Sequence, residues 1–330
     1  MKRILVFMIS VLLIGMIAGC SSGNKADNNK LKDVTIMLDW YPNAVHSALY
    51  VAKEKGYFKD EGINLKIEMP ADTNDPLKMA AVGKIDLAIS YQKQVLLSRS
   101  EDIPVVSIGS YVQHPLDALI YNKSKGITRP KDLEGKKVGY ASSPTSEPII
   151  KTLVEHDGGD MSKVKMVDVG FDLMPALATG KVDALEGAYI NHEYLLLKKE
   201  GVNVGKMSLE DNGVPDSSEL VFVTGEKTLK SEKDTLTKFM KALAKGQDDV
   251  KKNPKSALNV LLDHENKNFK LDKKVETESL NILLPLMGDK TTPFGQQNPK
   301  QWKNLADWMY KTKITPKKVN YKDAFMNLNY

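Results

Sequence analysis

Two stretches of this sequence can be laid on one another without a gap: "PLKMAAVGKIDLAIS" (residues 76–90) and "LMPALATGKVDALEG" (residues 173–187). Each reads as a short apolar helix, then Gly-Lys, then Ile-Asp or Val-Asp opening a strand. Gly83 and Gly180 fall where a helix ends through a left-handed residue, a conformation that costs glycine no steric clash. Two ordinary αβ units could match by coincidence. The alternative is two related lobes, each giving the same strand to one shared cleft. Ligands of open α/β sheets bind beyond the carboxyl ends of the strands. Just past those ends lie Tyr91 after the first copy and Tyr189, Asn191 and Glu193 after the second.

The same alternation continues on both sides of the pair. Short apolar runs at 34–38, 63–67, 85–90, 105–109, 118–121, 137–140, 164–169, 182–185 and 220–224 predict strands. Helical periodicity fits 44–56, 75–82, 92–99, 146–156, 172–179, 191–200, 232–252 and 299–311. Strands alternating with helices of this length predict an α/β chain of mostly parallel sheets, with helices on both faces. From about Ser231 onward the strand signals stop, so a helical C-terminal region is expected to pack onto lobes already formed.

The folded part does not begin at Met1. Lys2 and Arg3 precede an apolar run over 4–17, and the small residues that follow make 1–19 a secretory signal peptide, too short for a permanent span. "IAGC" (17–20) resembles the bacterial lipobox, which would make Cys20 the lipidated first residue of the mature chain. A non-lipidated signal with an incidental cysteine is the other reading. Cys20 is the sole cysteine among 330 residues, so an exported chain has no disulfides to form. Residues 20–32 are polar, rich in Asn and Lys, and read as a flexible tether. The remaining ~300 residues suffice for two lobes. Loss of Lys2 and Arg3 lowers the formal charge from +5 to +3, and the lysines are scattered, so no nucleic-acid footprint is present.

Between the strand at 34–38 and the helix that follows stands "DWYPNAVH" (39–46). Asn43 suits an N-cap reaching the N–H of His46, and Pro42 stiffens the entry. Asp39 and Trp40 fall at a strand end level with Tyr91, either as core or as cleft wall. His46 reads as a polar lining or a cap rather than a catalyst, and His192 as incidental to its neighbours. Asp117, in "HPLDAL", could bind an amide or cap a turn. "ASSPTSE" (141–147) precedes a helix, so Ser143 and Thr145 either cap it or hold a polar substituent of a ligand.

The stretches "LDWYPNAVHSALYVAKEKGYFKDEGINLKI", "GKIDLAIS", "LEGKKVGY" and "GKVDALEGAYINHEY" resemble the extracytoplasmic solute-binding proteins related to thiamine-pyrimidine synthesis. The nearest likeness is to the formylaminopyrimidine-binding (ThiY-type) lipoproteins of ABC importers. It covers the chain from about Asp33 to the end. The resemblance implies a type II periplasmic-binding-protein fold, with 33–117 plus 222–330 in one lobe, 118–221 in the other and two crossovers as the hinge. It implies that Asp39, Trp40, Tyr91, Tyr189 and Glu193 contact a pyrimidine. It also implies an ABC permease and its ATPase as partners, a lipid anchor on the outer face of the cell membrane, and a monomer with no cofactor or metal. The chemistry agrees: aromatic rings stack on a flat ring, and a carboxylate takes its amino hydrogens. Largely apolar walls with a few placed polar groups are expected.

A eukaryotic pyrimidine synthase shares this fold and uses a lysine for pyridoxal phosphate, then a histidine four residues later. Aligned through "GKIDLAIS", those places are Ser90 and Gln94, which can neither form a Schiff base nor donate an imidazole. There is no G-x-S-x-G elbow, P-loop or opening G-x-G-x-x-G, and the five histidines lie far apart. Binding without catalysis is the expectation. The same fold could instead hold a sulfonate, nitrate or riboflavin precursor. Small anions favour hydroxyls, backbone donors or arginines in the cleft, and beyond the signal only Arg99 and Arg129 are present.

Overall fold

The computed structural model describes residues 31–330. The expected signal peptide, Cys20 and nearly all of the tether lie outside the described residues. Lys32, assigned to the tether, already pairs as the first residue of a strand.

Two five-stranded sheets form among the described residues. The first holds β1 (Lys32–Met37), β2 (Ile63–Glu68), β3 (Leu87–Ser90), β4 (Val105–Val112) and β10 (Leu220–Gly225), in the order β2-β1-β3-β10-β4. The second holds β5 (Asp117–Asn122), β6 (Lys137–Tyr140), β7 (Lys165–Asp168), β8 (Ala184–Tyr189) and β9 (Val204–Ser208), in the order β7-β6-β8-β5-β9. These are one arrangement used twice. In each sheet three parallel strands are followed by an antiparallel strand, β10 or β5, and then by an edge strand. β3 and β8, the strands of the internal match, hold the same third place. The chain passes between the sheets twice, through 113–116 and through 209–219.

The shared Gly-Lys-Ile/Val-Asp has a physical reading in both copies. Gly83 (φ 69°) and Gly180 (φ 76°) end their helices in the left-handed region. The aspartate three residues on then clamps the neighbouring parallel strand. Asp86 Oδ2 accepts the Thr35 N–H at 2.8 Å, and Asp183 Oδ2 accepts the Lys137 N–H at 2.9 Å. Their own backbone N–H groups donate back to Thr35 and Lys137 at 3.1 and 2.8 Å. A short strand that follows a tight turn is thereby fixed in register with β1 or β6.

Helices cover the sheets as the alternation requires. The C-terminal region is helical, as its sequence predicts, and packs on the first sheet. Phe239, Met240 and Leu243 of the helix Glu226–Lys252 join the core of Ile36, Leu49 and Phe222. Trp302, Leu305 and Met309 of the helix Pro299–Lys311 pack on Val221 and Val223. A Cβ on Gly246 would sit 2.5 Å from the Ala48 carbonyl oxygen, so only glycine lets the long helix lie this close to Ser47–Glu54.

Several elements differ from expectation. Helix runs from Glu226 to Lys252 with a break at Glu232 (φ −122°, ψ 21°), so the helix expected over 232–252 is the part after the break and an additional helical turn precedes it. Helices Pro254–Leu262 and Lys273–Leu283 carry no separate signal in the reading. Edge strand β9 was missed because Val204-Gly-Lys-Met-Ser lacks a clear alternation. β10 opens at Leu220 and β5 at Asp117, so each strand lies wholly in one sheet.

Candidate functional site

The carboxyl ends of the central strands of both sheets face one cavity, whose empty space, open mouth included, is about 800 Å³. Its wall includes Asp39, Trp40, Asn43, Tyr91, Asp117, Ser143, Thr145, Tyr189, Asn191 and Glu193. Ten of the eleven residues singled out in the described sequence therefore come together. His46 does not reach the wall and acts one layer behind it.

The segment after β1 is built from local hydrogen bonds. Asn43 Oδ1 accepts from the Val45 N–H at 3.1 Å, one residue earlier than the cap expected, while the His46 N–H donates to the Asn43 carbonyl at 2.9 Å. His46 Nδ1 accepts from the Asn43 N–H at 3.2 Å, which puts the ring proton on Nε2. Nε2 then donates to Asp39 Oδ1 at 3.0 Å, inside a fully buried contact. His46 thus fixes the direction of the Asp39 carboxylate. The Trp40 ring packs at 4.4 Å on Phe171, which follows β7, and its Nε1–H is buried without a hydrogen-bond partner in the protein.

On the opposite side Glu193 is more committed than the sequence reading supposed. Its Oε2 accepts the Tyr189 N–H and its Oε1 pairs with His192 Nδ1, each at 2.8 Å. His192 is accordingly not incidental. Its Nε2 lies 3.7 Å from Glu276 Oε1, and Glu276 Oε2 accepts the Ala44 N–H at 2.7 Å. Burial alone would lower the His192 pKa, but Glu193 and then Glu276 outweigh it and raise it. Burial likewise works against an ionised Glu193, and His192 reverses that, holding the carboxyl below its ordinary value. Asn191 Nδ2 donates to Ser279 Oγ at 2.9 Å, leaving Oδ1 at the wall without a partner. Both tyrosines, Tyr91 and Tyr189, are pushed far up by burial and then by nearby carboxylates, so each keeps its hydroxyl proton at neutral pH.

The floor was largely unforeseen. Lys93, Glu186 and Glu219 line the cavity beside Asp117, together with Thr73, Gln94, Ser146 and His192. Glu219 accepts the N–H groups of Leu116 and Asp117, both at 2.9 Å. Asp117 neither caps a turn nor stands free: it accepts the Gly187 N–H at 3.0 Å and Lys93 Nζ at 3.5 Å. Burial would lower the Lys93 pKa, yet Glu219, Asp117 and Glu186 raise it. Thr145 makes no side-chain cap; its hydroxyl meets Ser143 at 3.0 Å. The wall is thus more acidic than expected, with five carboxyl groups, Asp39, Asp117, Glu186, Glu193 and Glu219, among the described residues. A signal for Glu186 was available. It is the place in the aligned strands where the first copy has Ile89 and the second a carboxyl group.

The profile of the family described as NMT1/THI5 like matches residues 43–257. A formylaminopyrimidine-binding protein of Halalkalibacterium halodurans is 42% identical over 323 residues, covering 97% of this chain and 98% of that protein. The chain belongs to the NMT1/THI5-like family. The chain is also similar to a 4-amino-5-hydroxymethyl-2-methylpyrimidine phosphate synthase of Saccharomyces cerevisiae, 27% identical and covering 70% of each protein. In three dimensions it resembles the alkanesulfonate-binding protein SsuA of Xanthomonas axonopodis pv. citri bound to MOPS. The TM-score is 0.69 at 14% identity, over 89% of this chain and 98% of that one. The fold is the type II periplasmic-binding-protein fold.

The Glu193–His192–Glu276 contact makes stability depend on pH. A histidine raised by carboxylates contributes stability that is full below its unfolded value of about 6.5 and is lost as pH rises through its folded value. His192→Gln should therefore cost on the order of 3 kcal/mol at about pH 6. The deficit should shrink by pH 9, as read from denaturant unfolding. A deficit that does not change with pH would mean that the imidazole is neutral throughout.

Proposed function

We propose that this protein is the extracytoplasmic solute-binding component of an ABC importer, and that it binds a thiamine-pyrimidine precursor of the formylaminopyrimidine type without altering it. The observation that carries the reading is the cavity, with aromatic rings and carboxyl groups contributed from both sheets, in a chain 42% identical to a formylaminopyrimidine-binding protein. Trp40, Tyr91 and Tyr189 offer flat faces for a pyrimidine ring. Asp39, oriented by His46, offers a fixed acceptor for an exocyclic amino group.

Two observations favour binding of this kind over its rivals. Ser90 and Gln94 stand where the synthases carry lysine and histidine, and here they bond one another at 3.4 Å. A small anion would face five carboxyl groups against Lys93 and His192, with no arginine at the wall.

One lobe is the first sheet with its helices and the C-terminal helices, the other the second sheet with the helices Ser146–His156, Leu173–Ala178 and Glu193–Lys199, the two dividing within 113–116 and 209–219. Contacts cross the cleft at both rims: Thr73 Oγ1 to the Ala141 carbonyl and Asn74 Nδ2 to the Ser142 carbonyl, both at 3.0 Å, and Asn191 to Ser279. A ligand touching both lobes makes contacts that an open form cannot offer, and this difference favours closure. A permease and its ATPase can then tell loaded protein from empty by shape.

Calorimetry with formylaminopyrimidine tests the reading. Trp40→Ala and Tyr91→Ala should each cost roughly 1–3 kcal/mol of affinity, and the ligand should be recovered unchanged. An altered product, or tighter binding of taurine or nitrate, would refute it. Anchoring through Cys20 is tested separately. Cys20→Ser should release folded protein into the medium or block processing, and a variant that stays on the membrane with normal mass would refute the lipid anchor.

A further inference from the structure

We propose that Glu186 meets the bound solute as an uncharged acid, and so selects a hydrogen-bond acceptor, a ring nitrogen or a carbonyl oxygen, at that wall of the cavity. The inference rests on the solute-binding reading and concerns what that one site recognises.

Glu186 lies in β8 and lines the cavity, yet it is only 2% exposed, and its Oε2 has no hydrogen-bond partner in the protein. The groups that face it come from four elements. Asp117 stands on β5, Lys93 on the helix Gln92–Ser100, Glu219 on the second crossover and Ser146 at the start of the helix Ser146–His156. One ammonium therefore serves three carboxyl groups.

The three are not equally provided for. Glu219 accepts two backbone N–H groups, and Asp117 accepts one together with the lysine. The Oε2 of Glu186, sealed from solvent, has neither, and only the Ser146 hydroxyl faces the carboxyl as a neutral donor, which leaves Oε1 as the atom to carry the proton toward a solute. An ionised oxygen buried without donors or solvent is strongly disfavoured, and a second carboxylate close by disfavours it further. Burial first, then Asp117, pushes the Glu186 carboxyl up to about 8, whereas Asp117, held down by Lys93 against its own burial, reaches only about 6. At neutral pH the proton of this cluster belongs on Glu186. A carboxylic acid kept neutral in a dry site is a hydrogen-bond donor, as ketosteroid isomerase illustrates. The aligned position in the first copy is Ile89, so this donor distinguishes the second lobe from the first.

The direction with pH follows. The acid form is present below about 8 and the donor is lost as pH rises through that value, so affinity for an acceptor should fall in alkali. Calorimetry with formylaminopyrimidine at about pH 7 and about pH 9.5 reads this directly. Wild-type affinity should weaken about tenfold at the higher pH, the loss of one hydrogen bond. Glu186→Gln, which keeps an N–H donor and does not titrate, should bind within about threefold of wild type at pH 7 and hold that affinity at pH 9.5. Glu186→Leu, with no donor, should be about tenfold weaker at both. Unliganded melting temperatures check that each variant is folded.

Wild-type affinity that is flat or rises with pH overturns the inference. So does a Gln variant that has lost more than tenfold at pH 7, because either result means that the group binds as a carboxylate or not at all. A Gln variant that weakens in alkali as wild type does assigns the pH dependence to another group, such as His192, and also overturns it. Failure of the wild type to bind formylaminopyrimidine at pH 7 overturns the solute assignment itself, and this inference with it.

Discussion

Glu219 holds the backbone N–H groups of Leu116 and Asp117 at 2.9 Å each, and so ties the returning crossover of the chain to the outgoing one. Much else depends on that bond. β5 can open the second sheet only where the first crossover ends, and β10 can re-enter the first sheet only where the second ends. Each is the antiparallel strand beside the third strand of its sheet. The two crossovers therefore stand side by side beneath the ends of β3 and β8. A carboxylate accepting two buried amides is strongly held, and cutting it would leave both amides unsatisfied.

The same place explains the charge pattern of the cavity. Lys93 is buried in the cluster, close to Asp117, Glu186 and Glu219, which keeps it ionised against its burial. At the far wall, His192 does the corresponding work for Glu193 and Glu276. Each carboxyl group therefore has a defined setting: Asp39 turned by His46, Glu193 engaged by His192, Asp117 and Glu219 engaged by amides beside Lys93, and Glu186 carrying the proton that we propose. A site prepared this way loses little entropy on binding, because its polar groups already point where a ligand needs them.

Much of this was legible in the chain, and the rest was hidden for identifiable reasons. The ungapped match of 76–90 with 173–187 foretold two equivalent strands, since a glycine turn and a clamping aspartate are local devices that sequence displays directly. Tyr91, Tyr189 and Trp40 were legible because they stand at or just past the ends of strands. Lys93 and Glu219 were not, since a lysine opening a helix or a glutamate before a strand ordinarily faces water; only the crossing of two distant segments buries them. Glu193 was legible as a cleft carboxylate but not as one already engaged, because the Glu276 that shares His192 with it comes from a helix 83 residues away in a region with no strand signals to anchor it.

The central claim is that the two lobes close on a solute they both touch. Small-angle scattering of the protein with and without saturating formylaminopyrimidine tests it most directly. The account predicts a smaller radius of gyration with the ligand bound. Saturated binding, shown by calorimetry on the same sample, with an unchanged radius of gyration would contradict it.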